Sequence, residues 1–136
     1  MPRPATPEDV DRIAGALPET VLGTSWGDRP TWKVPATGNG RGFVVHRAPR
    51  HDAVDPVTGA EYDDLLVVRV ADPGAKQALV EADGPFFTID HFRGHNAVLV
   101  QLSRLGELDV AELEEVVTDA WAAVAPRRLV KAHLGG

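Results

Sequence analysis

The clearest structural signal in the chain is DVAELEEVVTDAWAAV, residues 109–124. Asp109, with Glu112 three residues later, has the pattern of a capping box, in which two side chains accept backbone N–H groups at the start of a helix. The apolar residues that follow recur three or four positions apart and therefore share one face. We predict an amphipathic helix that buries this face in the core, with Trp121 among the buried residues.

Shorter helical patterns lie on both sides of this stretch. Residues 6–9, TPED, are typical of a helix N-terminus, and Pro18 ends that helix. Residues 72–73, Asp-Pro, start another helix, which ends before Gly84. Its apolar stripe is expected to face inward and consists of Ala75, Ala78, Leu79 and Ala82. Pro126 is expected to begin a last, basic helical turn over residues 127–133.

Five segments have the composition of β-strands. They are residues 31–34, 42–47, 65–70, 86–89 and 97–102. Asn39-Gly40, a strong turn signal, lies between the first two segments, so these are expected to form a hairpin. A polar stretch over residues 48–63 is long enough to form a wing or flap. Because turns join most of the strands, we predict a two-layer α+β fold: an antiparallel sheet of about five strands with helices packed on one face.

The chain of 136 residues has the size and composition of one globular domain, which we assign to residues 1–136. It contains no cysteine, which excludes disulfides and thiolate metal sites. Its first residues, MPRPATPEDV, lack the apolar run of a signal peptide. No stretch approaches the about 18 apolar residues of a membrane-spanning helix. We therefore expect a cytoplasmic protein that does not bind membranes.

Catalytic and metal-binding patterns are weak in this sequence. The two serines, Ser25 and Ser103, lack the strand, glycine and helix context of a nucleophile elbow. Asp90, His91 and His95 have the spacing of a metal site only in a helix, whereas the glycine before His95 indicates a turn. We therefore predict no catalytic residue, no cofactor and no metal site. The sequence favours a non-enzymatic protein, and only Asp90 and His91 leave an enzymatic role open.

Basic residues are concentrated in one part of the chain, although the formal net charge is -6. Between residues 29 and 51 there are several cations and no acid. These cations are Arg29, Lys33, Arg41, Arg47 and Arg50. In a projecting hairpin these cations would neutralise phosphate groups, and the aromatic side chains beside them would be available to stack on bases. Arginines at strand edges also keep sheets from pairing edge to edge, so this structural role stays open beside the binding role.

A DNA-binding protein is the first hypothesis that follows from this charge pattern. The hairpin cations would make the main contacts. The second contacts would come from Arg93 and from a basic patch near the end of the chain, which comprises Arg127, Arg128 and Lys131. The net negative charge argues against DNA binding unless the basic residues are separated in space from the acids.

Aromatic residues support an alternative hypothesis, a small-molecule-binding protein. Trp26 and Trp32 flank a short turn, and with the cations beside them they would form the wall of a cleft for a planar or anionic ligand. The residues assigned to this cleft are Trp26, Trp32, His91, Phe92 and Arg93.

Several short segments occur in the same order as in a known protein family. They are LPE at 17–19, TSWGDRPTWKV at 24–34, FFT at 86–88, HFRG at 91–94, VLVQL at 98–102 and WAAVAPRRL at 121–129. Together they resemble the MmcQ/YjbR family over about residues 8–131. The resemblance implies a compact α+β domain with a CyaY-like fold and DNA binding through a double-wing motif, without catalytic residues. The segment 48–63 departs from the family pattern, because it is longer than the tight turn that we associate with the family at this place.

The resemblance also raises two other ligands. One namesake in the family is linked to mitomycin, which suggests a small planar drug. The frataxin-like part of the fold description suggests iron bound on an acidic ridge. In this sequence the corresponding acids are better explained as the solvated face of a helix, and they are Glu112, Glu114, Glu115 and Asp119.

Overall fold

The computed structural model describes residues 3–25, 29–34, 41–47, 59, 65–82, 84–88 and 94–134. Within these residues the elements follow in this order: helix α1 (Pro7–Ala16), strands β1 (Val21–Ser25), β2 (Arg29–Val34), β3 (Arg41–Arg47) and β4 (Leu65–Arg69), helix α2 (Pro73–Glu81), strand β5 (Ala97–Gln101), and helices α3 (Val110–Val124) and α4 (Arg127–Leu134). A 3-10 helix, Leu102–Glu107, connects β5 to α3. None of the described helices is long and apolar enough to cross a membrane.

The five strands form one antiparallel sheet in the order β1-β2-β3-β4-β5. Each strand pairs with the one before it, which confirms the α+β fold with a turn-connected sheet. The register of β2 and β3 shifts between Trp32 and Lys33, which marks a bulge. Gly42 pairs with Lys33 at this bulge, and a Cβ on Gly42 would lie 2.7 Å from Cγ2 of Thr31. Glycine is therefore required here for the two strands to approach each other.

Helices α1 and α3 pack against each other on one face of the sheet. Helix α3 buries Leu113, Val117 and Trp121 there, as its periodicity predicted. Trp121 has no exposed surface, and its indole N–H donates to the backbone carbonyl of Pro18 at 3.1 Å. The capping box of Asp109 and Glu112 is also confirmed. The strongest sequence signal therefore forms the centre of the helical layer.

One buried carboxylate holds the start of α1. Asp9 is only 3% exposed and accepts hydrogen bonds from the backbone N–H of Thr6 at 2.9 Å and from its hydroxyl at 3.0 Å. It also pairs with Arg3 at 2.6 Å and with Arg12 at 3.2 Å. The hydrogen bond from Arg3 and then that from the Thr6 backbone hold the pKa of the Asp9 carboxyl well below its ordinary value.

The structure corrects two expectations about the sheet. Strand β1 is not among the predicted strands; it is an edge strand whose Val21 and Leu22 are exposed, and pairing with β2 defines it. Residues 86–89 were predicted to form a strand, but the described ones contribute a single bridge, from Phe87 to Leu99. Phe87 covers a second apolar cluster, on the sheet face turned away from α1 and α3, and this packing explains its aromatic character. The cluster consists of Val45, Leu65, Val67, Ala97 and Leu99.

The predicted inward stripe of α2 is confirmed for two of its four residues. Asp72 caps this helix as expected, since its carboxylate accepts from the N–H of Ala75 at 2.8 Å. No residue of α2 is fully buried: Ala75 and Leu79 are half-buried and pack against the core, whereas Ala78 and Ala82 are exposed. The helix contacts β5 and leaves a space between itself and α3.

We predict that Asp9→Asn lowers the melting temperature at neutral pH, because it removes the charge that Arg3 and Arg12 pair with. The Asp9 pKa is depressed in the folded state, so the stabilisation is fully present above the unfolded pKa of about 3.9 and is lost progressively as the pH falls from there through the lower folded-state pKa. Thermal unfolding between about pH 7 and pH 3 should therefore show the difference between the two proteins becoming smaller below about pH 4 without disappearing. Glu8→Gln, which neutralises an exposed neighbour in the same turn, is the control. A constant difference at all pH values would contradict this account of Asp9.

Candidate functional site

Charge is distributed unevenly between the sheet and the helical layer. The five strands contain five cations and no acid, and the cations are Arg29, Lys33, Arg41, Arg47 and Arg69. Helices α1 and α3 contain seven acids and one cation, Arg12. The acids are Glu8, Asp9, Asp11, Glu112, Glu114, Glu115 and Asp119. The sheet is therefore the basic layer of a protein whose total charge is negative.

The side chains of three of these five cations are described, and we call these three the sheet cations below. They are Lys33, Arg41 and Arg69. Lys33 and Arg69 are half-buried and Arg41 is exposed. Antiparallel pairing brings the end of β4 beside the start of β3, and burial, followed by the charge of Arg41, lowers the pKa of the Arg69 guanidinium. Within the described ranges no carboxylate pairs with any of the three. These cations therefore keep their hydrogen-bonding capacity available.

Three arginines in or beside the helices, by contrast, pair with nearby acids. Arg3 and Arg12 bind Asp9. Arg104 binds both carboxylate oxygens of Glu107, one of them at 2.9 Å. These charges are neutralised locally and contribute little to an attractive field outside the protein.

The predicted C-terminal patch lies on α4, apart from the sheet cations. Arg128 donates to Glu19 at 3.0 Å. Glu19 has a left-handed backbone, with φ of 54°, in the turn that follows α1. Arg127 and Lys131 are exposed on the same helix. The structure thus places Arg128 in an ion pair and leaves Arg127 and Lys131 as the accessible cations of the patch.

Other predicted contacts cannot be located within the described part of the chain. Arg29 and Arg47 lie in β2 and β3, but their side chains are outside what is described. Arg50 and Arg93 lie outside the described residues altogether, as does the predicted turn at Asn39-Gly40. Arg69, conversely, was missed, because it is remote in sequence from the basic run and only the β3–β4 pairing brings it close.

Trp32, assigned to a ligand cleft by the alternative hypothesis, packs between β2 and α1. Its indole N–H donates to Oδ1 of Asp11 at 2.8 Å, and a Cβ on Gly15 would lie 3.2 Å from its ring. Nε2 of His46, on β3, lies 3.7 Å from the same Asp11 oxygen. Trp32 is therefore engaged in joining the sheet to α1. The other residues that were assigned to the cleft lie outside the described residues. They are Trp26, His91, Phe92 and Arg93.

Metal-binding groups do not cluster in the part of the chain that the structure describes, where no three histidines or carboxylates could hold one ion. Of the Asp90, His91 and His95 group, only His95 is described, and its backbone carbonyl accepts a hydrogen bond from Nζ of Lys76 at 2.8 Å. The acids of α3 that the iron hypothesis concerns are exposed on that helix.

Comparison with known proteins gives similarities of three kinds: to a family model, to two bacterial proteins and to one solved structure. A family model described as YjbR matches residues 15–123. Uncharacterized protein Rv2570 of Mycobacterium tuberculosis (strain ATCC 25618 / H37Rv) and Uncharacterized protein Mb2600 of Mycobacterium bovis are each 39% identical to this chain, over 96% of both sequences. A crystal structure of Deinococcus radiodurans protein DR2400, family-model domain DUF419, has a TM-score of 0.57 at 18% identity and covers 94% of this chain and 80% of its own. The last similarity supports the fold.

We predict that Trp32 and Asp11 stabilise the fold jointly. Trp32→Phe removes the indole N–H and shortens the ring that lies against Gly15, so the free energy of unfolding should fall by about 1–2 kcal/mol. Chemical denaturation of Trp32→Phe, Asp11→Ala and the double variant forms the test. The double variant should be less destabilised than the sum of the two single variants, because both remove one bond. Strict additivity would show that the hydrogen bond contributes nothing.

Proposed function

The chain belongs to the YjbR family, and on this premise we propose that it is a non-enzymatic DNA-binding protein whose sheet contacts the phosphate backbone. The observation that carries the proposal is the separation of charge, with cations on the strands and acids on α1 and α3. Arginine and lysine side chains supply most of the sequence-independent affinity for DNA. The proposal includes a cytoplasmic location, as the sequence leads us to expect.

The net charge of -6 is compatible with this role because of where the acids lie. Packed layers of secondary structure are about 10 Å apart. Physiological salt screens charges over about 8 Å. A phosphate at the sheet would therefore interact mainly with the sheet cations, and the exposed acids of α3 would weaken this attraction only slightly. Asp11 of α1 faces the sheet, where it is engaged with Trp32 and His46.

The arrangement of the cations supports contact with several phosphates. They lie on three neighbouring strands, β2, β3 and β4, which are spaced about 4.8 Å apart in a sheet. The sheet cations have no described carboxylate partner, so binding would not have to break an existing ion pair. Arg69 is half-buried, and its guanidinium is destabilised by Arg41, so an anion placed between them would relieve that repulsion.

Salt-dependent binding of labelled duplex and single-stranded DNA, measured by fluorescence anisotropy, tests the proposal. Three to five phosphate contacts would make log affinity fall with log salt at a slope of about -3 to -5. We predict that Lys33→Gln/Arg41→Gln weakens binding to all DNA sequences and makes the slope less steep by about 2.

The control for this experiment is Arg127→Gln/Lys131→Gln, which changes the total charge equally but on α4. If the sheet is the interface, this variant binds nearly as well as the unchanged protein. Equal losses in both variants would show a general charge effect, and loss in the α4 variant alone would move the interface to α4. Either result, or no binding at low salt, overturns the proposal.

A further inference from the structure

A groove lies between α2 and α3, on the helical side of the sheet. Its volume is about 630 Å³, within the range of about 300–1,000 Å³ that is usual for small-molecule sites. Helix α2 lines it with Ala75, Ala78, Leu79 and Ala82. These residues form the stripe that the sequence predicted to face inward and that the structure leaves half-buried or exposed. The groove is thus the space that α2 leaves when it contacts β5 rather than α3.

The opposite wall of the groove is one face of α3. It presents Val116, Ala122 and Ala123 to the groove, and Phe86 contributes to the lining where the chain enters the segment before β5. Alanine side chains on both helices are too short to fill the space between them. The floor of the groove is therefore apolar and open to solvent, so burying it under an apolar group would be favourable.

Acids lie along the α3 side of this groove. Glu112, Glu115 and Asp119 are three and four residues apart, so they lie on the same helical face. Glu112 accepts the backbone N–H of Asp109, whereas Glu115 and Asp119 have no partner among the described residues. Like charges four residues apart on a helix repel each other, and a cation between them would replace that repulsion with attraction.

The charge balance of the whole lining is also negative. Glu107 contributes a fourth carboxylate, which is paired with Arg104. Among the described lining residues the one cation is Arg69. An anionic ligand would therefore be disfavoured in this groove, as would a neutral one relative to a cation of the same shape.

We propose that the groove between α2 and α3 binds a small amphipathic cation. The apolar body of the ligand lies against the alanines of the two helices, and its protonated amine lies between the carboxylates of Glu115 and Asp119. A second copy of this chain is a poorer occupant, because a symmetric contact would bring two acidic faces together. The groove shares Arg69 with the sheet cations, but neither the Lys33→Gln/Arg41→Gln test nor the groove variants change that residue, so either assignment stands if the other fails.

Three probes with the same ring test the proposal: 1-naphthylmethylammonium, 1-naphthylmethanol and 1-naphthylacetate. Each is titrated into the full chain and followed through backbone amide chemical shifts in ¹⁵N-labelled protein. We expect the cation to bind about tenfold more tightly than the alcohol, in line with one or two partly exposed ion pairs. The acetate should bind most weakly. The largest shifts should fall on α2 and on Val116 and Ala123 of α3.

Two kinds of variant separate the charge from the groove. Glu115→Gln/Asp119→Asn should reduce the affinity for the cation about five- to tenfold, to that of the alcohol. Glu114→Gln, an exposed acid of α3 outside the groove lining, should leave it unchanged. Ala78→Phe should weaken both the cation and the alcohol, because the larger side chain fills the groove.

Several outcomes would overturn the proposal. These are acetate binding as tight as cation binding, shifts located away from α2 and α3, or affinity unchanged in Ala78→Phe with its fold intact by circular dichroism. Shifts of the groove amides with protein concentration alone would show that a second copy covers the groove. Absence of binding by all three probes at millimolar concentration would show that the groove takes no ligand of this class.

Discussion

The buried indole of Trp121 fixes the relation between the helices and the sheet. Its N–H donates to the carbonyl of Pro18, at the point where the chain leaves α1 and turns toward β1. A buried N–H without an acceptor is costly, so α3 can pack in this position only with the end of α1 beside it. The same turn carries Glu19 in a left-handed conformation and pairs it with Arg128 of α4. One side chain in the core thus joins α3 to the end of α1, and the ion pair beside it joins that turn to α4.

Because α1 and α3 occupy one face of the sheet, the two layers have different electrostatic properties. The apolar faces of both helices pack on the core, and the acids of α3, such as Glu115 and Asp119, lie on its exposed side. On α1, Asp9 is buried in its ion pairs and Asp11 contacts Trp32 of β2. The strands carry cations alone. A net charge of -6 therefore describes neither layer, and ligands of opposite charge can be attracted to different sides of one small protein.

The sequence predicted those elements whose signals are local. The caps and periodicity of α1 and α3 involve residues within one or two helical turns, and both helices were predicted correctly. Strand β1 was missed because the sequence VLGTS has little strand character of its own and is stabilised by pairing with β2. The stripe of α2 was recognised, but its burial was not predictable. Periodicity shows that a helix has an apolar face, whereas the path of the connecting chain decides what covers that face.

The same distinction applies to the candidate sites. The basic run between residues 29 and 51 correctly indicated β2 and β3 as basic strands, because it is a continuous feature of the sequence. It did not include Arg69, which joins these strands only through the register of β4, and it did not show that Arg128 is paired with Glu19, 109 residues away. Whether a cation is free to bind depends on its spatial neighbours, so a charge count from sequence includes Arg128 of α4, which is paired, and omits Arg69 of the sheet, which has no carboxylate partner among the described residues. Helix α3 shows the converse. From the sequence its acidic face is an ordinary solvated surface, and it becomes a candidate site only because α2 places an apolar wall opposite it.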